Sequence, residues 1–405
     1  MSLFDITILL IALLFIGLSM MPRVRTNRWW GATVTPLASI IGSGFLVIAP
    51  LLANVAGSWA VLAMVLIVVL AYVIGHAVRF NILYGETMEE SADPPKGLAL
   101  AKRLSGMALT VAYVISVAFY IRLLASFALS MTPFESAGYE DLLATAILAS
   151  IGLIGWWHGL KGLEFVETIS VSIKLSIIIA LLAALFWHNL GNGTWSAELT
   201  PADTDPLTRL RMLAGMLLVV QGFETSRYLG AAYPAQMRAT TMRWAQLSSG
   251  VIYLVFVALV VPILIYLPPG KPDETAIISL TSHVAPVLPY LLVFAALMSQ
   301  LSAGIADTVG AGGLVVEETR NRIHERLAYP ILIAFSIALI WLFDIFQVIA
   351  IASRTFAFYY MMQTITAFIV AGKADIGTAR TCHRIWFASL SVLLALIVIF
   401  ALPAE

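Results

Sequence analysis

The chain holds one cysteine, Cys382, in 405 residues, so no disulfide can form within it. Charge is scarce too, at 11% Asp, Glu, Lys and Arg, where soluble domains carry about 25%. Acids and bases balance at 23 each, which offers nothing to a nucleic-acid partner. Clustered metal ligands are missing: Cys382-His383 stands in a short charged loop with no further ligand close in sequence. No His, Asp, Glu or Ser constellation meets the geometric roles of an enzyme, so no catalytic residue, metal or cofactor is assigned. The longest polar stretches, Glu86 to Lys102 and Asn189 to Pro206, are too short for a soluble domain.

What is present is apolar surface. Hydrophobic residues make up 60% of the chain and the mean hydropathy is +0.94. A chain this apolar cannot cover a water-facing surface, so its solvent is a lipid bilayer. A hydrocarbon core of about 30 Å needs roughly 20 apolar residues per helix. Twelve spans satisfy that, near 5–22, 33–54, 58–80, 106–130, 140–157, 165–187, 211–231, 245–267, 286–313, 328–343, 345–371 and 384–402. The first span opens with an acid, Asp5, and ends in Pro22-Arg23-Val24-Arg25 in place of a small-residue cleavage site, so it reads as a retained helix and not a signal peptide.

Basic residues test the count. On this layout Arg23, Arg25, Arg28, Arg79, Lys96, Lys102, Arg103, Lys161, Arg238, Arg243, Arg320, Arg322, Arg326, Lys373, Arg380 and Arg384 share one face, while the other keeps Arg209, Arg211 and Lys271. The positive-inside rule makes the richer face cytoplasmic. The expectation is an all-α polytopic membrane protein of the plasma or inner membrane, with both termini outside. Glu86, Glu89, Glu90 and Asp93 read as a solvated loop.

Two spans contain residues that weaken a helix: Leu37-Ala38-Ser39-Ile40-Ile41-Gly42-Ser43-Gly44-Phe45-Leu46 and Val219-Val220-Gln221-Gly222-Phe223-Glu224-Thr225-Ser226-Arg227-Tyr228. Glycine loosens a helix by about 1 kcal/mol relative to alanine. Unwound backbone survives in lipid only when buried in protein or lining a cavity. It offers N–H groups from one half-helix and carbonyls from the other, a seat for a carboxylate or a cation near mid-membrane. Small residues also let helices approach closely, which is the plainer account of Gly42, Ser43 and Gly44. Each weakened span opens a set of five helices, and five crossings invert direction, which is the pattern of inverted-repeat transporters.

At these residues the chain resembles the amino acid–polyamine–organocation superfamily, whose fold is the LeuT-type five-plus-five inverted repeat. Ser39-Ile40-Ile41-Gly42-Ser43-Gly44-Phe45 is similar to its first-core-helix motif. Gly159-Leu160-Lys161 followed by Lys174-Leu175 resembles its fifth core helix. Gly222-Phe223-Glu224, with Tyr233-Pro234 after it, resembles its sixth. The sodium:solute symporters are a competing relative, on Ala38-Ser39 running to Pro50, Arg227-Tyr228-Leu229 and Ala295-Ala296-Leu297-Met298-Ser299.

The resemblance implies an extra helix at 1–30, a first repeat at 31–188, an extracytoplasmic loop at 189–207, a second repeat at 208–372 and a last helix within 373–405. It implies alternating-access transport of a small solute, an amino acid or related compound, held by Ile41, Gly42, Ser43, Gly44, Gly222, Phe223, Glu224 and Thr225. Phe223 is the expected gate.

An ionisable side chain at the bilayer centre costs about 2.5–3.5 kcal/mol or more, so it needs a reason. Lys174 lies about ten residues into its helix. In proton-coupled relatives a lysine here fills the space where sodium-coupled relatives bind sodium, which implies a proton-carrying role; a snorkelling or structurally paired lysine is the alternative. Sodium coupling would instead use the carbonyls of Ala38, Ile41 and Ala296 and the hydroxyl of Ser299. The next position usually adds a second hydroxyl but here is Gln300, with Ser302 as the substitute. Glu224 is a candidate proton or gating residue, or a local partner of Arg227. Arg122, Asp307 and Arg354 read as buried structural charges, with Asp307 set against Arg354. His158, His188 and His283 fall near interfaces, as do the runs Trp29-Trp30 and Trp156-Trp157, which read as an aromatic belt. A non-transporting sensor or scaffold on the same fold is the competing class.

Overall fold

The computed structural model describes residues 2–89, 91, 95–160, 164–199, 204–230, 232–267, 274–374 and 377–403. Among them every regular element is helical. The principal helices are α1 Leu3–Met20, α2 Arg28–Ser43, α3 Ile48–Ala56, α4 Ala60–Phe80, α5 Leu98–Leu129, α6 Ala137–Trp157, α7 Glu164–Asn192, α8 Pro206–Gly215, α9 Ala235–Val260, α10 Leu288–Glu318, α11 Glu325–Leu342, α12 Ile345–Lys373 and α13 Arg380–Phe400. Ten helices among the described residues are long and apolar enough to cross a membrane. α2 and the segment 206–229 fall below that measure because the breaks keep each helical piece short, whereas α3 is counted within one of the ten, Ile48–Glu89.

Local chemistry sets the ends. Ser2 and Asp5 form a capping box at α1, and Asp344 with Gln347 forms another at α12. The Asn27 side chain accepts from the N–H groups of Trp29 and Trp30 and starts α2. Asp205 caps α8 ahead of Pro206, where a missing N–H costs nothing.

Several helices begin earlier than hydropathy indicated: α2 at Arg28 and not 33, α5 at Leu98 and not 106, α9 at Ala235 and not 245. Hydropathy marks the length that lipid accepts, whereas the backbone ladder continues past it. With 32 residues, α5 is about 48 Å long and overshoots the hydrocarbon core at its ends.

α10 and α12 both pack on α5 at the centre. α9 covers α2, α6 pairs with α11, α13 lies along α12, and the N-terminal α1 braces α7 from outside. Fully buried Tyr120, Tyr253, Tyr359, Tyr360, Phe256 and Phe356 dominate this core.

Glu86 and Glu89 depart from the solvated-loop expectation. α4 passes through a single π turn, Asn81–Gly85, into a helical turn Glu86–Glu89. The Glu86 carboxylate takes both ends of the Arg238 guanidinium, at 2.8 and 2.5 Å, and Glu89 meets Arg227 at 3.3 Å. These acids turn inward because the two arginines are themselves largely buried. Glu90, Asp93, Lys161 and Lys271 lie outside the described residues.

Candidate functional site

Both weakened spans are interrupted. α2 stops at Ser43, residues 44–47 form a turn, and α3 resumes at Ile48. In the second span α8 ends at Gly215, a 3-10 turn covers Leu217–Val220, and another covers Phe223–Leu229. Between them Gly222 adopts φ +115, a conformation side chains with a Cβ rarely take. It also presses on α2: a Cβ there would lie 2.5 Å from Ser39 Oγ and 2.7 Å from the Ser39 carbonyl carbon. A Cβ on Gly44 would stand 2.7 Å from the side chain of Val219, so the two breaks touch.

Backbone polar groups freed inside a membrane need partners. Side chains of this protein supply them. The Lys174 ammonium donates to the Ala38 carbonyl at 2.7 Å and the Gln300 amide donates to the Gly42 carbonyl at 3.1 Å. The Tyr253 hydroxyl lies 2.9 Å from the Ile40 carbonyl and 2.7 Å from that of Val219, joining the two breaks. At the second break the Gly222 N–H donates to Glu224 Oε2 at 2.9 Å, and the Tyr360 hydroxyl donates to the same oxygen at 2.7 Å. Thr225 Oγ1 closes the turn onto the Gly222 carbonyl at 2.7 Å. The carbonyls of Ala38, Ile40, Gly42, Val219 and Gly222 and the N–H of Gly222 thus have side-chain partners within the chain.

A cavity of about 500 Å³ lies beside the breaks. One face of α10 forms its long wall: Ser299, Ser302, Ala303, Ala306, Asp307, Gly310, Gly313, Leu314 and Glu317 recur at steps of three and four. Thr35, Ala38 and Ser39 come from α2, Ser170 and Lys174 from α7, Thr225 and Tyr228 from the second break, and Tyr113 from α5. The cavity runs from Lys174 to Glu317 and Glu325, which flank the loop carrying Arg320 and Arg322. Behind Lys174 and Ser299 sits a second void of about 20 Å³, lined by Ile41, Gly42, Ala296 and Gln300 among others.

The expected site residues therefore divide. Lys174, Ala38, Ser299, Ser302 and Thr225 line the large cavity. Ile41, Gly42, Ala296 and Gln300 lie behind the partition that Lys174 and Ser299 make. Gly44, Gly222 and Glu224 pack at the meeting of the breaks. Phe223 is 1% exposed and stacks on Tyr360 at 4.9 Å, so it stands within the core behind the cavity. Ser43 falls in the last turn of α2, and its side chain lies outside what is described.

The charges rearrange as well. Glu224 does not use Arg227; it takes Gly222 and Tyr360, while Arg227 reaches Glu89. Arg354 donates to the Ala401 carbonyl at the end of α13, and Asp307 instead lines the cavity. Arg122 does pair, 3.2 Å from Asp141. Trp156 and Trp157 lie stacked and exposed at the end of α6. Tyr113 and Tyr253 give no signal in the sequence because single tyrosines in apolar spans look like core. Tyr228, which directly follows Arg227 in the second break, is legible there.

Ten helices long and apolar enough to cross a membrane, with two broken segments beside a largely apolar cavity, define an integral, multi-pass membrane protein. The chain belongs to the APC superfamily: a family described as APC superfamily transporter matches residues 22–401. Of the two resemblances in the sequence, this match supports the first. The chain is also 46% identical over 362 residues to a protein of Aquifex aeolicus (strain VF5), described as uncharacterized, covering 89% of this chain and 88% of that one.

Proposed function

We propose that this transporter moves a small organic solute, an amino acid or related compound, by alternating access, and that Lys174 couples the movement to protons. The observation that carries the reading is the Lys174 ammonium, 2.7 Å from the Ala38 carbonyl at the inner end of the cavity. Ala38 and Ser299 are two of the groups that a sodium-coupled relative would turn on its ion. A Cβ on Gly42 would lie 3.5 Å from Lys174 Nζ and 3.8 Å from Ser299 Oγ, so the lysine stands within that group. A cation fixed to the chain there leaves no room for sodium; when it loses its proton, its hold on Ala38 weakens and α2 is released from α7.

The arrangement supports two five-helix repeats headed by the broken segments, 31–188 and 208–372. The cavity leads to the arginine-rich face, which the positive-inside rule makes cytoplasmic, so the conformation is inward-facing with both termini outside. Uptake of radiolabelled amino acids and small amines into proteoliposomes, with and without an imposed pH gradient, tests the reading. Gradient-driven uptake that Lys174→Ala abolishes is the expected result. Uptake driven by sodium alone, or indifferent to Lys174→Ala, removes the proton role.

A further inference from the structure

The large cavity is apolar over most of its surface. A cleft of that character, with a few polar groups at fixed points, is what small-molecule sites generally present. Ala303, Ala306, Gly310 and Gly313 keep the α10 wall shallow, and a Cβ on Gly313 would meet nothing within 4 Å. Tyr113 gives the opposite wall a flat surface. A Cβ on Gly310 would stand 3.0 Å from Tyr113 Cε2, so the ring lies in the room that the missing side chain leaves. The same ring meets Phe356 edge-on, with centroids 6.3 Å apart.

Two hydroxyls mark where a polar group belongs. Ser170 and Ser299 line this cavity, are 1% and 5% exposed, and among the described residues neither hydroxyl has a hydrogen-bond partner. On the same two helices Ser176 and Thr308 bond back to the carbonyl four residues earlier, each at 2.7 Å. Ser170 and Ser299 do not. A buried polar group without a partner is costly, and a guest that brings a donor or an acceptor relieves it. Ser299 and Ala306 are seven residues apart on α10, about 10 Å of helical rise, which leaves that length of wall for the rest of the guest.

We propose that the cavity selects solutes with a bulky apolar body: the polar head meets Ser170 and Ser299, the body lies against Tyr113 and the small-residue face of α10, and Ala306 sets the size that fits. This names a substrate class for the transport reading and rests on that reading for its biological meaning, while its test uses binding alone. Detergent-purified protein is titrated calorimetrically with three series that share the tails methyl, isobutyl and benzyl. The amino-acid series is alanine, leucine and phenylalanine; the amine series is ethylamine, isoamylamine and phenethylamine; the acid series is propanoate, 4-methylpentanoate and 3-phenylpropanoate.

In at least one series affinity is expected to rise tenfold or more from the methyl to the larger tails, since each buried methylene contributes about fourfold. Ala306→Leu should weaken the benzyl member at least tenfold more than the methyl member, with Ala306→Val intermediate and available where leucine prevents folding. General damage to the fold would weaken all tails alike, and partition into the micelle is the same for every variant. Ser170→Ala and Ser299→Ala should each weaken all tails of the binding series by one common factor, about fivefold. No binding in any series, affinity flat or falling with tail size, size-independent loss in both Ala306 variants, or affinities unmoved by both serine variants overturns the proposal. Proton-driven uptake of solutes without tail preference would keep the transport reading and sink this one; tail-selective binding without uptake would do the reverse.

Discussion

Alanine at position 222 meets two obstacles that can be measured apart. The backbone there has φ +115, and an L side chain in a left-handed conformation costs about 1–2 kcal/mol. The new Cβ would also stand 2.5 Å from Ser39 Oγ and 2.8 Å from the Ile40 nitrogen. Backbone atoms of α2 cannot swing aside, and forced overpacking adds about 1–3 kcal/mol. Gly222→Ala is therefore expected to destabilise by about 2–5 kcal/mol. Gly193 isolates the first cost, since its φ is +65 and a Cβ would meet nothing within 4 Å; about 1–2 kcal/mol is expected there. Gly17, inside α1 with nothing within 4 Å of its Cβ, carries neither cost, and alanine there should gain up to about 1 kcal/mol. Melting midpoints from intrinsic tryptophan fluorescence in detergent should rank Gly17→Ala at or above wild type, then Gly193→Ala, then Gly222→Ala. If Gly222→Ala melts at or above Gly193→Ala, the close approach of the two breaks is not what holds glycine at 222.

Tyr253→Phe removes one oxygen and leaves the Ile40 and Val219 carbonyls short of a donor, an expected loss of about 1–3 kcal/mol; an unchanged melting midpoint would count against the staple between the breaks. Arg238→Ala leaves the half-buried Glu86 without its guanidinium partner, with an expected loss of about 1–3 kcal/mol, and adding Glu86→Ala should recover part of it. Additive losses in that double mutant would show that the pair does not act as a pair. Phe223→Ala opens a cavity beside Tyr360 and should cost about 3–5 kcal/mol whether or not solute is present. Selective loss of uptake by a protein that melts normally would instead restore the gate reading of Phe223.

Apolar length and the lopsided arginines carried the fold into view because lipid imposes both on the primary sequence. The breaks were legible from Gly42-Ser43-Gly44 and Gly222 for the same reason: few residues open a helix. Side-chain destinations were not. Glu224 and Arg227 are three apart, the spacing of a local pair, but the 3-10 turn Phe223–Leu229 sends one to Tyr360 and the other to Glu89. Glu86 looked solvated because its partner Arg238 lies 152 residues away on another helix. Asp307 looked structural because nothing in α10 itself reveals that its face borders a void. Tertiary partners of this kind leave no periodic trace, whereas burial in lipid does.

A hydroxyl has one hydrogen to give, so Tyr253 cannot satisfy the carbonyls of Ile40 and Val219 fully at the same moment. The contact behaves as a catch with two stops. When the broken segments separate, the proton stays with one carbonyl and only the other goes without, at a cost of about 1 kcal/mol. α9 can thus stay bonded to one of the two broken segments if they part.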